Sequence, residues 1–331
     1  KSKLLWKTIE ELIKKRFGEK ELDSLLPENM KPGDIRVVQG QSSVPFSKVL
    51  LTQSMTATGL DLNQAFRISQ EFEQHLLSEK TQQIEKAEIF QQIRKIIEKQ
   101  FDPYTADLYQ VASRLDQLKR PVIIYIGGAP GTGKSVLATS LATRLGINKV
   151  ISTDSIREIM RLAFSSDLLP TLFHSTTEAW KGLPMEFQAS EQLIAGYCLQ
   201  ANQVSLGVRA VVERTVEEGQ NLIVEGSHLV PFLHEVAKKN IVDAYHIPIS
   251  LSIMNEKYHR ERFSERGSSN LRKIENYYLK RFNEIRNIHE YTITQCEADE
   301  VEVFDNEDFD KTLNLMIQFS IQKLLKQVNS E

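Results

Sequence analysis

The chain is short of cysteine: among 331 residues only Cys198 and Cys296 occur. That excludes a disulfide framework and a four-thiolate zinc site, and a chain of this length needs neither to build a core. The count fits a reducing compartment. Long apolar runs are also missing, since no stretch approaches the ~18 uncharged apolar residues of a membrane span. The opening KSKLLWKTIEELIKKRF is charged and amphipathic, without the apolar core of a secretory leader. The expectation is a soluble, cytoplasmic protein with no membrane partner. Charge of one sign is lacking too: 41 Lys and Arg against 44 Asp and Glu leave a net charge of -3. No global field is available to hold a polyanion such as duplex DNA, so no nucleic-acid partner is expected, and an anionic ligand would be small and met by a local cluster of donors. Internal repeats and low-complexity tracts are absent.

What remains is ordinary globular usage, with 41% hydrophobic and 26% charged residues, enough for one large unit with a smaller one before it. Up to about residue 120 apolar residues recur at helical spacing, as in Leu50, Leu51 and Met55 or Ile89, Ile93, Ile96 and Ile97. Residues 1–34 read as an N-terminal helical segment, and Ile35 to Val38 as the start of a small hairpin. From Pro121 the pattern changes to short apolar runs, Val122 to Ile126, Val150 with Ile151, Leu222 to Val224, Ala244 to Ile249 and Val301 to Phe304, separated by amphipathic segments. Such alternation implies an α/β unit with a five-stranded parallel sheet flanked by helices. The expected units are 1–34, 35–118 and 119–331, with the linker between Phe101 and Arg120.

The first of these runs leads into Gly128-Ala129-Pro130-Gly131-Thr132-Gly133-Lys134-Ser135 and then a helical pattern through Leu137, Leu141 and Leu145. This is the Walker A spacing in its strand, loop and helix context. Glycines let backbone N–H groups turn toward phosphate oxygens, and the helix N-terminus adds partial positive charge. Gly128, Pro130, Gly131, Thr132, Gly133, Lys134 and Ser135 are therefore the candidate ATP-binding residues. Lys134 is placed to reach the β and γ phosphates, and the Ser135 hydroxyl to ligate Mg²⁺.

Kinases, motors and GTPases share this loop, so the other strand ends must discriminate. No DxxG or NKxD guanine-reading pattern stands where a GTPase needs one. The second strand ends at Ser152-Thr153-Asp154, and Asp154 can accept the proton of an attacking hydroxyl or simply cap the following helix. Arg157 and Arg161, four apart on that helix, suit a phosphate already on the acceptor or a solvated face. The third strand runs into Glu225, where a Walker B acid would hold Mg²⁺ through water, and His228 follows as a donor to an anion or a structural histidine. Farther on, Arg260, Arg262 and Arg266 crowd one short segment, as on a closing lid that stabilises the migrating charge, or as on an exposed helix. Trp180 and Cys198 read as core.

Taken together, GGAPGTGKS, STDSIREIMR, Gly207 to Arg214 (GVRAVVER), IVEGSHLVP and HRERFSERG resemble the 2-phosphoglycerate kinase family from about residue 122 onward. The resemblance implies an ATP- and Mg²⁺-dependent kinase that phosphorylates the free hydroxyl of 2-phosphoglycerate to 2,3-bisphosphoglycerate, with an Arg-rich lid near 254–292. It would give catalytic roles to Lys134, Asp154, Arg262 and Arg266, acceptor contacts to Asp154, Arg157, Arg161, Glu225, His228 and Arg260, and the metal to Ser135 and Glu225. The alternatives are a kinase of another phosphorylated polyol, such as an inositol phosphate, and a nucleotide-binding regulatory module. Residues 35 to about 114 are similar to the ATP-cone that family members can carry, through Pro45-Phe46-Ser47-Lys48-Val49-Leu50 and the Gly59-Leu60-Asp61 break. Where a cone opens with a basic K-R-D-G hairpin, this chain has the uncharged Gln39-Gly40-Gln41-Ser42, which points as much to a packing or self-association unit in a homo-oligomer as to a nucleotide site.

Overall fold

The computed structural model describes residues 35–330 apart from 41, 57, 80, 116–117, 184–190, 234–242 and 265–276. The helical segment expected over 1–34 and the lid arginine Arg266 lie outside the described residues.

In the front unit, β1 (Arg36–Gln39) and β2 (Ser42–Pro45) form an antiparallel hairpin, with Val37 opposite Val44. Helices α1 (Lys48–Thr56) and α2 (Leu62–Ser78) follow, the second opened by a capping box between Asp61 and Gln64. The chain then returns as β3 (Gln83–Glu85), parallel to β1. Helices α3 (Lys86–Gln100) and α4 (Pro103–Ala112) complete the unit, with Asp102 capping α4 and Pro103 in its first turn. Met55, Ile68, Phe72, Ile93 and Ile97 form its core. The sequence offered no signal for β3, because a three-residue strand with one buried side chain has no alternation to read.

The span expected as a linker instead holds α4, and its two faces serve different interiors. Ala106 and Tyr109 pack into the front core. Leu108, Val111 and Leu115 pack into the core of the second unit.

The second unit holds β4 (Val122–Gly128), β5 (Val150–Ser152), β6 (Leu222–Glu225), β7 (Tyr245–Ser252) and β8 (Glu302–Asp305). They form one sheet in the order β5-β6-β4-β7-β8, with every neighbouring pair parallel. All five expected apolar runs are thus strands. Central β4 is buried at every residue, as a strand covered by helices on both faces must be. Its odd and even positions divide between two cores. Ile124 and Ile126 face α5 (Lys134–Leu145) and α10 (Phe309–Asn329). Ile123 and Tyr125 face α6 (Thr153–Ala163) and α7 (Gln192–Glu217). After β7 come α8 (Glu256–Ser264) and α9 (Phe282–Ala298).

The strand order places the ends of β4, β5 and β6 side by side, and an open parallel sheet binds its ligands beyond such carboxyl ends. One wall of that region is a 3₁₀ segment, Thr176–Gly182, which lies directly on α7 at Gly196. A Cβ at Gly196 would stand 2.2 Å from the Trp180 backbone nitrogen and 2.4 Å from its Cα. Replacing a mid-helix glycine by alanine gains about 1 kcal/mol in helix propensity. Overpacking against backbone that cannot rotate away costs about 1–3 kcal/mol. Gly196→Ala is therefore expected to lower the urea midpoint without changing the denaturant slope. An unchanged or higher midpoint would show that the 3₁₀ wall is free to move off the helix.

Candidate active site

The phosphate loop between β4 and α5 turns at Gly131 and Gly133, whose φ values of +84° and +89° belong to the left-handed region that favours glycine. The carbonyls of Ala129, Pro130 and Thr132 are engaged by side chains of the loop itself, of α8 and of the turn after β8. The Ala129 carbonyl accepts from Lys134 Nζ at 2.8 Å and from Thr132 Oγ1 at 3.0 Å. The Pro130 carbonyl meets His259 Nε2 at 2.9 Å. The Thr132 carbonyl accepts from Asn306 Nδ2 at 2.8 Å and, at 3.5 Å, from Arg262 Nη1. In a trans peptide the C=O and the next N–H point in opposite directions. Holding the carbonyls of 130 and 132 outward thus turns the amides of Gly131 and Gly133 inward, which is what an anion nest requires.

Inside this loop lies a cavity of about 240 Å³, lined by Lys134, Ser135, Asp154, Arg157 and Glu225 together with loop residues Pro130, Gly131 and Gly133. Ser135 Oγ donates to Glu225 Oε1 at 3.0 Å. Glu225 is 6% exposed, and its burial raises the carboxyl above its usual range against the pull of nearby Lys134. Asp154 differs. The cap of α6 is Ser152, whose side chain accepts from the Ser155 amide, so Asp154 is released from capping and stands in the cavity with a 68% exposed side chain. Arg157 sits behind it, with Nε 3.8 Å from Asp154 Oδ1 and Nη1 on the His174 carbonyl. Its Nε is buried without a hydrogen-bond partner among the described residues.

Other expected contacts fall elsewhere. Gly128 is needed for close packing, since a Cβ there would stand 2.4 Å from the Leu251 carbonyl. Thr132 turns its hydroxyl onto the Ala129 carbonyl and offers the cavity no side chain. Arg161 does not line the cavity: it chelates Glu158 at 2.9 Å and lies over Phe173. Arg260 is exposed and covers Phe282. Arg262 is committed to the loop carbonyl and to Asn306. His228 is 1% exposed, with Nδ1 on the Thr153 hydroxyl at 2.9 Å and Nε2 on Gln200 Oε1 at 3.1 Å. Gln200 spends its amide on the Thr171 and His174 carbonyls, so His228 donates through Nε2, accepts at Nδ1 and has nothing left for an acceptor. Trp180, expected in the core, is 37% exposed.

Several residues that build the site carried little sequence signal. Ser175, Thr176 and Thr177 add hydroxyl-bearing residues to the cavity lining, and Phe263 and Tyr278 line it as well. The run Ser175-Thr176-Thr177 was the available cue. His259 clamps the Pro130 carbonyl while Arg286 Nη1 approaches its other nitrogen at 3.3 Å.

Burial pushes His228 and His259 down to about 4 and His289 to about 3. Arg286 beside His259 and His289 adds to the effect. An unfolded histidine titrates near 6.5, so the native state binds fewer protons and its advantage is complete above about pH 6.5 and fades toward pH 4. Each histidine is expected to remove of order 1 kcal/mol per pH unit in that window. Glu225, shifted upward, offsets part of this slope. Urea denaturation at pH 7, 6 and 5 should show proton uptake on unfolding, and His228→Gln should reduce it by about one proton. Stability independent of pH between 7 and 5 would contradict the neutral, buried assignment.

No family model matches the chain. Curated relatives do. It is 35% identical over 294 residues to the 2-phosphoglycerate kinase of Methanopyrus kandleri, covering 88% of each chain. It is 36% identical to that of Pyrococcus furiosus, covering 88% of this chain and 95% of the relative, and 38% identical to that of Methanocaldococcus jannaschii, covering 85% and 91%. These shares exceed what the stretch from 122 onward can supply, so much of the front unit is matched as well. A shikimate kinase from Acinetobacter baumannii superposes with a TM-score of 0.36 at 12% identity over 66% of this chain and 97% of its own, too low to add to the assignment. Identity at this level across both units means that the chain belongs to the 2-phosphoglycerate kinase family.

Proposed function

We propose that this protein transfers the γ-phosphoryl group of ATP to the free hydroxyl of 2-phosphoglycerate, giving ADP and 2,3-bisphosphoglycerate. The observation that carries the reading is one cavity in which a phosphate loop faces an open carboxylate, Asp154, and the arginine paired with it, Arg157. The relatives named above bear the name of this activity.

The amides of Gly131 and Gly133 and the ammonium of Lys134 would hold the triphosphate tail. Lys134 now rests on the Ala129 carbonyl, a contact that a phosphate oxygen can replace. Mg²⁺ would be held by the Ser135 hydroxyl and, directly or through water, by Glu225. These are hard oxygen donors already 3.0 Å apart, and few protein ligands are expected for an ion that completes its shell with phosphates and water. When bound it supplies charge neutralisation between the β and γ phosphates. The acceptor's phosphate would be met by Arg157 and the hydroxyls of the 175–177 segment, which leaves its free hydroxyl beside Asp154. In the transfer the hydroxyl oxygen forms a bond to the γ phosphorus, the bond to the β–γ bridging oxygen breaks, and the hydroxyl proton passes to Asp154. Asp154 suits this role because it is open to the cavity, whereas Glu225 is buried and engaged by Ser135.

ADP release by the purified chain should depend on 2-phosphoglycerate. Asp154→Asn should keep ATP binding and lose about 10²–10⁴-fold in turnover, the usual worth of a positioned base. Lys134→Ala should lose about 10²–10³-fold, the usual worth of one transition-state donor. Arg157→Gln should chiefly raise the KM for the acceptor. Equal ADP release with and without 2-phosphoglycerate would overturn the substrate assignment.

A further inference from the structure

Glu178 stands in the 3₁₀ segment Thr176–Gly182, immediately after the residues that bring hydroxyls to the cavity. Its side chain is 16% exposed and takes donors from two distant parts of the chain. From its own neighbourhood, Lys181 Nζ donates to Oε1, and Ser175 Oγ lies 3.4 Å from Oε2. From the helical turn just before α9, the Tyr277 hydroxyl donates to Oε2, and Arg281 Nη2 donates to Oε1 at 2.7 Å. The hydroxyls of Ser175 and Tyr277 also bond each other, which closes a triangle of Ser175, Tyr277 and Glu178. Burial works to raise this carboxyl, but the bonds from Lys181, Tyr277 and Arg281 hold it down at about 2, so it is ionised at neutral pH.

The turn held in this way reaches the site. Arg281 lies over the Tyr277 ring, 3.9 Å from its centroid, and its Nη1 approaches the Tyr277 carbonyl at 3.4 Å. The next residue, Tyr278, lines the cavity and stacks on Phe263 with ring centroids 5.2 Å apart. Phe263 in turn fills the space beside Gly131 of the phosphate loop. One carboxylate thus ties together two parts of the cavity lining, Ser175–Thr177 and Tyr278 with Phe263, that are remote in sequence. Lys181 and Arg281 balance its charge, so it can stand near an anionic acceptor without repelling it. A partly exposed ion pair contributes little to stability by itself. Small displacements of binding groups, by contrast, are costly where a reactant must be held in register.

We propose that Glu178 is a positioning residue for acceptor binding: it fixes the 175–177 segment against Tyr278 and so sets the shape of the acceptor end of the cavity. The inference rests on the kinase reading given above and extends it to a residue that neither binds phosphate nor moves a proton.

Steady-state ADP release by the full chain tests this. In Glu178→Ala the KM for 2-phosphoglycerate should rise about tenfold or more, equivalent to 1.4 kcal/mol, while kcat and the KM for ATP stay within about threefold of wild type. Glu178→Gln keeps the shape and one acceptor oxygen and should recover part of the loss. Tyr277→Phe should raise the same KM, and its effect combined with Glu178→Ala should fall short of the product of the two, because either change breaks one network. A second readout needs no turnover. In the ¹⁵N amide spectrum without ligand, Glu178→Ala should shift 175–177 and 277–282 together and leave 122–128 in place, which also reports that the variant is folded. The proposal is overturned if the KM for 2-phosphoglycerate is unchanged in both Glu178 variants, if the KM for ATP rises in step with it, if the two effects multiply in full, or if the amide shifts stay within 175–181. Failure of the kinase reading would show instead in the wild-type chain, as ADP release indifferent to 2-phosphoglycerate, and would leave the joint amide shifts in place.

Discussion

The site depends on how the phosphate loop's carbonyl groups are disposed of. A loop that presents amides to an anion must send the matching carbonyls somewhere, and buried carbonyls left unpaired are costly. Here Lys134, Thr132, His259, Asn306 and Arg262 take them up, drawn from the loop itself, from α8 and from the turn after β8. The glycines tolerate the resulting backbone, and the space beside them is filled. A Cβ on Gly133 would come within 2.6 Å of Asn306 Nδ2 and 2.8 Å of Arg262 Nη1. The nest is therefore braced before any ligand arrives, which lowers the ordering cost of binding.

The same sheet edge separates two carboxylates by environment. Glu225 ends β6 in the interior, held by Ser135 and facing Lys134, whereas Asp154 begins α6 in the open. Neighbouring acids in unlike surroundings can take unlike roles. The spacing of strands β4, β5 and β6 sets this arrangement, so the division of labour follows from topology.

The parallel sheet, the loop and its strand-end acids were legible in the sequence because each rests on local pattern: apolar runs, glycine spacing, a carboxylate just past a strand. What escaped was decided by tertiary partners. Whether Asp154 capped its helix turned on Ser152 two residues earlier. Whether His228 faced a ligand turned on Gln200 and Thr153, far apart in the chain, which consume both its nitrogens. The arginine cluster drew attention to charge. Yet the contacts that α8 makes with the loop are largely those of His259 and Phe263, whose ring atom lies 2.3 Å from the place a Cβ on Gly131 would occupy. No pattern in one segment announces such contacts.

Helix α4 shows why the two units travel together. Its Leu108 and Val111, with Leu115 just beyond its end, belong to the interior of the neighbouring unit, and Ala106 and Tyr109 to its own. A recombination event that exchanged everything before residue 118 would carry off part of the catalytic half's filling and leave a groove along α10. A transplanted front unit would have to bring side chains of matching shape at 108, 111 and 115 to refill that interior.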